Sequence, residues 1–333
     1  MQPRETLFSE SVPVFMKSFG SLNPDKFFYV IWRESPGGGF FSNVFHVLSH
    51  LMYAWDLGLT PVVDMENFST FYNEQSVIAS TKNAWEYYFT QPSRFSLRDV
   101  YKSKRVVFCY GSGGSAFGAY YNFVKAGKMA ERFLHVQPSV LAEVEAFRKE
   151  HFENRSVLGV HFRGQEMKTA KGHPAPPTEA QMLERTRELL QRFSIDKIYI
   201  VSEDQGYVDL FKNEFRERVL CTDSFRTHGE NAYKMPPTVR SLHMYNLGRE
   251  ILRDTLLLSQ TDYLLASGKG ELAFGSGVSL MAQLWNGGRY RHMELVYNGI
   301  NTFSGGNAGF AEFVENYFPN GVYRPRDDKS PIA

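Results

Sequence analysis

From Ser156 onward, short apolar runs alternate with amphipathic stretches, and this alternation restricts the fold more than any other feature of the chain. Residues 156–162 (SVLGVHF), 197–204 (KIYIVSED), 218–223 (RVLCTD), 262–267 (DYLLAS) and 291–297 read as strands, dense in branched and aromatic side chains. Helical segments separate them. Thr178 and Gln181 form a capping box, and the helix they open carries Met182, Thr186, Leu189, Leu190 and Phe193 on one face. Further helices are expected over 207–215, about 240–259 and about 277–286. Strands joined by whole helices pair in parallel, so this half predicts a doubly wound α/β domain.

The first half begins in the same manner. Lys26–Trp32 (KFFYVIW) reads as a strand, 37–43 (GGGFFSN) as a glycine-rich turn, 44–58 as a helix ended by Gly58, and 60–65 as the next strand. Residues 66–120 are aromatic and irregular. A helix over 137–155 links the halves, and 308–318 predicts a last helix that packs back on the first half. At 333 residues, two domains are expected rather than one. No internal repeat or low-complexity segment interrupts the pattern.

Composition excludes several classes of function. A net charge of +1 offers no general field for nucleic acid or an anionic membrane, so any anion site must be a local concentration of Arg and Lys. Cys109 and Cys221 have neither zinc spacing nor a disulfide framework and read as reduced apolar residues. The amino-terminal residues hold no apolar signal core, and no run is long enough to span a bilayer. A cytoplasmic protein is the expectation. The 15% aromatic content suits a large core and also stacking against sugars or bases.

Ligands of open α/β sheets bind beyond the carboxyl ends of the strands, and three such ends carry unusual chemistry. In 159–168 (GVHFRGQEMK), His161, Arg163, Glu166 and Lys168 crowd the end of a buried strand. Arg163 can present a planar fork to a phosphate, Lys168 a mobile charge, and Gly164 a close backbone approach; a solvated basic turn paired with Glu166 is the alternative. In 275–285 (GSGVSLMAQLW), small residues open a helix whose free N–H groups can face an anion, or simply cap it. No Lys follows as in a P-loop, which disfavours an ATPase or GTPase. The third end, with Gly38 and Gly39, leaves room for a sugar or phosphate or forms a tight turn; it lacks dinucleotide spacing, so a nicotinamide enzyme is not expected. The Glu203–Asp204 pair in VSED is poor evidence for a metal and points to a structural or hydroxyl-binding role. No serine-hydrolase elbow or zincin motif is present.

Two of these stretches resemble the GDP-fucose-dependent fucosyltransferases with two Rossmann-like domains, especially the α1,6 group that includes the rhizobial nodulation and core N-glycan enzymes. GVHFRGQEMK resembles the family's strand-end H-x-R followed by an acidic residue and a Lys. Residues 252–267 (LRDTLLLSQTDYLLAS) resemble its Asp-containing helix, Leu-Ser-Gln-x-Asp turn and strand, ahead of a serine-rich loop at 275–279. The match spans roughly 155–290, with the first half only loosely similar. The resemblance implies a GT-B-like pair of Rossmann-like domains with doubly wound parallel sheets facing a cleft, at 1–150 on the acceptor side and 151–300 on the donor side, with 301–333 as a tail. It implies that Arg163 binds the GDP pyrophosphate, with Lys168 a weaker candidate, that Asp254 accepts from the guanine edge, and that Ser276, Gly277, Val278 and Ser279 cradle phosphate; His161, Gly164, Gly38 and Gly39 are further donor-side candidates. No metal or other cofactor is implied, since Arg, Lys and a helix N-terminus stabilise the leaving diphosphate.

This sequence departs from the family pattern in two places. The spacing to Lys168 is one residue longer, so Lys171 competes with it, and 268–274 is an insertion ahead of the serine-rich loop. Inversion at the sugar carbon needs a general base; Glu166 and His173 are the candidates, beside Arg163 as catalytic cation, while His161 orients the loop. Phe40, Phe41, Trp85, Tyr87 and Tyr88 are candidates to offer stacking faces to a glycan acceptor, with aromatic core packing the commoner fate of such residues. The implied function is inverting transfer of L-fucose from GDP-fucose to a carbohydrate in surface-polysaccharide or lipopolysaccharide assembly. The expected partners are the GDP-sugar and a glycan, with no nucleic acid and no transmembrane segment, compatible with peripheral membrane association; the oligomeric state is left open. Rival readings are an α1,2-type fucosyltransferase, a transferase of another GDP-sugar, a protein O-fucosyltransferase, or a GDP- and glycan-binding protein without catalysis.

Overall fold

The computed structural model describes residues 14–33, 36, 38–109, 123–163, 176–268, 273, 276–297 and 300–305. The chain divides into two units, with the boundary between Gln137 and Pro138. The first contains β1 (Val14–Lys17), β2 (Phe28–Ile31), α1 (Phe40–Asp56), β3 (Thr60–Val63), α2 (Leu97–Val100), β4 (Val106–Cys109) and α3 (Phe123–Phe133). Its sheet runs β1-β4-β2-β3, with β4, β2 and β3 parallel and β1 antiparallel at the edge.

The expected βαβ unit is present, but its helix starts at Phe40 rather than at 44. Gly39 is the N-cap, and Phe40, Phe41 and Asn43 are buried on α1. Period-two alternation sorts the strand β2: Phe28 and Val30 join Val62, Val106 and Phe108 in one core, whereas the Tyr29 hydroxyl meets His50 of α1 at 2.7 Å on the other face. Cys109 is buried in this sheet, where desolvation pushes its thiol up to about 11.

The second unit contains α4 (Pro138–His151), β5 (Val157–His161), α5 (Glu179–Arg192), β6 (Lys197–Val201), α6 (Gln205–Phe215), β7 (Val219–Leu220), α7 (His243–Leu258), β8 (Tyr263–Ser267), α8 (Gly277–Asn286), β9 (His292–Tyr297) and β10 (Ile300–Gly305). The sheet order is β10-β9-β8-β5-β6-β7, parallel except for the antiparallel edge strand β10. The expected strand at 218–223 shortens to two residues, and the strands β1, β4 and β10 were not anticipated. The segment 308–318 lies outside the described residues. The capping box forms as read: Thr178 accepts from Gln181 N, and the Gln181 side chain accepts from Thr178 N.

Helices cover both faces. Leu158 and Val160 of β5 and Ile198 and Ile200 of β6 pack with Met182 and Leu189 of α5 and Val208 and Phe211 of α6. Gly159 and His161, one residue out of phase, face the other way. At Gly159 that face is tight, because an added Cβ would lie 2.6 Å from both Leu258 Cδ1 and Thr261 Oγ1. Gly159→Ala is therefore expected to cost roughly 1–3 kcal/mol through overpacking. Gly39→Ala meets nothing within 4 Å and should cost much less. Urea denaturation of both variants checks this, and equal midpoints would refute the close approach.

Candidate functional site

In the second sheet, β5, β6 and β7 follow one another outward, and the chain then crosses to place β8 on the opposite side of β5. The switch point therefore lies between β5 and β8, where open α/β sheets leave a crevice beyond the strand ends. His161 is the last residue of β5, and α8 begins just after β8. The Ser279 hydroxyl lies 2.6 Å from His161 Nδ1, with both side chains buried. The two stretches singled out in the sequence thus meet directly.

This contact defines the chemistry available. Burial, reinforced by the charge of Arg163, lowers the His161 imidazole to about 3, so it is neutral at physiological pH. Such a weak base is poorly matched to proton abstraction near neutrality. Arg163 stands two residues beyond the strand. Ser276 caps α8 by accepting from Val278 N at 3.2 Å. The two serine hydroxyls are therefore already engaged, and the groups of α8 left to meet an anion are first-turn N–H groups such as those of Gly277 and Ser279. Gly164, Glu166, Lys168, Lys171 and His173 lie outside the described residues.

Asp254, on α7, is buried, with one carboxylate oxygen accepting from Thr222 and the other from Ser224, each at 2.7 Å. Burial pushes its carboxyl pKa up, opposed by Arg253, which stands 3.4 Å away and also pairs with Asp223 at 2.9 Å. Oδ1 also takes the Arg253 Nε–H at 3.4 Å, so of the carboxylate's about four lone-pair sites it is Oδ2 that holds a single donor. In VSED, Asp204 is the N-cap of α6, accepting from Gly206 N at 2.8 Å, which is the structural role. Among the described residues no group of three or more His, Cys, Asp and Glu side chains is gathered as metal ligands. No helix among them is long and apolar enough to cross a membrane.

No family model matches this sequence, and no curated protein matches it. Solved structures do match it. The α-1,6-fucosyltransferase NodZ soaked with GDP-fucose aligns with a TM-score of 0.52 at 15% identity, over 81% of this chain and 94% of that one. NodZ from Bradyrhizobium gives 0.53 at 14% identity, over 85% and 99%. NodZ co-crystallized with GDP gives 0.52 at 13%, over 83% and 97%. The chain has the NodZ fold.

Within the NodZ fold, the first unit repeats the arrangement of the second. Its switch point lies between β2 and β4, and Arg33 stands two residues past β2, as Arg163 stands past β5. The Arg33 guanidinium donates to Asn43 Oδ1 at 2.9 Å and to Ser42 Oγ at 3.1 Å in the first turn of α1. Sequence reasoning passed over Arg33, although VIWR and VHFR present the same signal: an apolar strand followed by an aromatic residue and Arg. Gly38 and Gly39 precede α1 in this unit, and Gly39 faces open space.

The expected acceptor-stacking residues are corrected. Phe40, Phe41, Trp85, Tyr87 and Tyr88 are each no more than 3% exposed. Phe40 packs edge-on against Phe41, Tyr72 and Tyr88, and the Trp85 indole donates to Thr90 O at 3.0 Å. Their ring faces are core, because the helix start at Phe40 turns them inward.

A pH experiment tests the His161 environment. The imidazole titrates near 6.5 when unfolded and at about 3 when folded, so the unfolded chain takes up the proton first. The stability contributed by neutral His161 is complete above pH 6.5 and is lost as pH falls toward 3, at up to about 1.4 kcal/mol per pH unit. His46, lowered to about 4 chiefly by burial, adds a second such group. Urea denaturation between pH 7.5 and 5 should show a shallower decline in His161→Gln than in the wild type. An identical slope would contradict the assignment.

Proposed function

We propose that this chain is an inverting glycosyltransferase that moves L-fucose from GDP-fucose to a carbohydrate acceptor. The observation that carries the reading is the His161–Ser279 contact, which sets the end of β5 against the N-terminus of α8 at the switch point. A site of that kind suits a diphosphate: Arg163 supplies a fixed cation, and the first turn of α8 supplies oriented N–H groups. The shared NodZ fold and the resemblance of 155–290 to fucosyltransferases support the choice of donor.

In this reading, the bond between the fucose anomeric carbon and the β-phosphate oxygen breaks as an acceptor hydroxyl oxygen attacks the opposite face. Arg163 and the α8 N-terminus stabilise the charge that develops on departing GDP. The acceptor proton passes to a base, for which Glu166 and His173 are the candidates and His161, titrating at about 3, is not. Guanine is read by Asp254, whose Oδ2 holds one hydroxyl and keeps a lone pair for a base N–H, while Oδ1 is shared by Thr222 and Arg253. Gly164 and Lys168 complete the phosphate contacts, with Gly38 and Gly39 donor-facing. The reading includes a metal-independent reaction and a cytoplasmic setting in surface-polysaccharide or lipopolysaccharide assembly.

A thermal-shift panel of GDP, UDP, ADP and CMP tests the donor class, since a ligand selective for the native state stabilises it in proportion to its occupancy. GDP alone is expected to raise the melting temperature clearly; equal shifts with UDP or ADP would contradict the guanine reading. Arg163→Ala should abolish fucosyl transfer and weaken GDP binding by roughly 10–100-fold, the loss of charge-assisted hydrogen bonds to phosphate. Wild-type affinity in that variant would remove Arg163 from the clamp. Asp254→Asn should bind GDP more weakly and lose discrimination against ADP; retained discrimination would exclude its role. GDP binding by the wild type without release of fucose to any glycan would favour the non-catalytic binding protein.

A further inference from the structure

On the first sheet, the face opposite α1 is covered by no long helix among the described residues. It holds a cavity of about 600 Å3 walled by Phe15, Trp32, Phe68 and Tyr101, with Lys17 and Asn67 beside them. Its position is informative, because Trp32 follows β2 directly and Phe108 of β4 also lines the cavity, so it adjoins the switch point of this sheet. A volume of this size falls within the usual range of about 300–1,000 Å3 for small-molecule pockets. The rings here differ from Phe40 and Trp85: Phe15, Trp32, Phe68 and Tyr101 are half-buried and keep surface to offer a ligand.

The polar groups on these walls are arranged for a partner. Asp64, fully buried, accepts from the Asn67 backbone N–H and from Asn67 Nδ2, both at 2.9 Å. Its Oδ2 also accepts from the Tyr101 hydroxyl at 2.5 Å. The carboxylate therefore pins the amide of an exposed asparagine and the ring of Tyr101 in one orientation. With Nδ2 committed to Asp64, the Asn67 carbonyl oxygen is the part left to accept a hydrogen bond. The Trp32 indole N–H is buried without a hydrogen-bond partner among the described residues, and a buried donor of this kind is costly unless something receives it. Lys17 lies with its ammonium 4.9 Å from the Phe19 ring centroid and makes no ion pair among the described residues.

Flat rings interleaved with a pinned amide match one ligand chemistry well. A pyranose ring has an apolar C–H face that lies on an aromatic ring and a rim of hydroxyls that both donate and accept. A lipid chain would leave the Asn67 carbonyl oxygen unused, and the proposed diphosphate site lies in the other unit. We infer that this cavity is a carbohydrate-binding site that stacks a pyranose ring of an oligosaccharide between Trp32, Phe68 and Tyr101, with Asn67 accepting from one of its hydroxyls. As the seat of the acceptor glycan, it rests on the proposal that the second substrate is a carbohydrate.

The test is a titration followed by the indole N–H resonances of 15N-labelled full-length protein. The chain has four tryptophans, and Trp32 is assigned as the signal missing from Trp32→Phe. Chitotetraose, cellotetraose and tetragalacturonate are titrated separately, alongside GDP and a short-chain alkyl glycol as an apolar control. Saturable movement of the Trp32 signal by at least one oligosaccharide is expected, weakened about fivefold or more in Asn67→Ala. Lys17→Met, an exposed change that leaves the core intact, should weaken the uronate oligomer selectively. Failure of all three oligosaccharides to move the signal would overturn the site, as would movement by GDP or the alkyl glycol instead. GDP binding followed by thermal shift is an independent reading: oligosaccharide binding without GDP binding would keep this site and sink the donor assignment, and the converse would do the reverse.

Discussion

A hydrogen bond of 2.6 Å between residues 118 positions apart, His161 and Ser279, is the contact on which the proposed donor site depends. It joins the end of an interior strand to the first turn of a helix across the switch point of a parallel sheet. Each partner depends on packing elsewhere. His161 reaches α8 because the alternation of β5 turns Leu158 and Val160 into the opposite core. β5 lies close to α7 because Gly159 has no side chain to hold it away from Leu258 and Thr261. A buried neutral imidazole then sits against the helix start, two residues before Arg163. The contact makes little use of charge itself; it sets the geometry in which charge acts.

The same construction occurs twice in the chain. In both units an interior strand ends in an aromatic residue and an arginine, and a helix start lies beside it. In the first unit Arg33 is bonded to Asn43 and Ser42 of α1. In the second, the helix start beside the strand end is that of α8, which follows β8 rather than β5, and it is held by histidine and serine. Two βαβ units with related strand ends need not bind the same chemistry. One edge is furnished with N–H groups and a strand-end cation, and the other with aromatic rings and a pinned amide.

Much of the fold could be read from local pattern, because strand and helix periods differ and the second unit repeats them cleanly. The capping box at Thr178 and Gln181 formed as written, since both of its bonds lie within four residues. What escaped reading depends on distant partners. The strands β1 and β10 pair antiparallel at sheet edges, where burial imposes little pattern on their sequence. The helix α1 begins at Phe40 because two aromatic rings following glycines found a core to enter, a fact invisible without Tyr72 and Tyr88 in place. The same burial removed the aromatic residues considered for facing a sugar, whereas Trp32 and Tyr101 keep an exposure that no local rule specifies. His161 and Arg163 were found because a strand end with charges is conspicuous. Their connection to Ser279 is a tertiary fact.

The most direct test of the central claim is a crystal structure of the chain with GDP bound. The account predicts the diphosphate between the end of β5 and the N-terminus of α8, with phosphate oxygens within hydrogen-bond distance of the Arg163 guanidinium and of first-turn N–H groups of α8, and guanine toward Asp254. A diphosphate seated in the first unit, or one that leaves both Arg163 and the α8 N-terminus untouched, would contradict it.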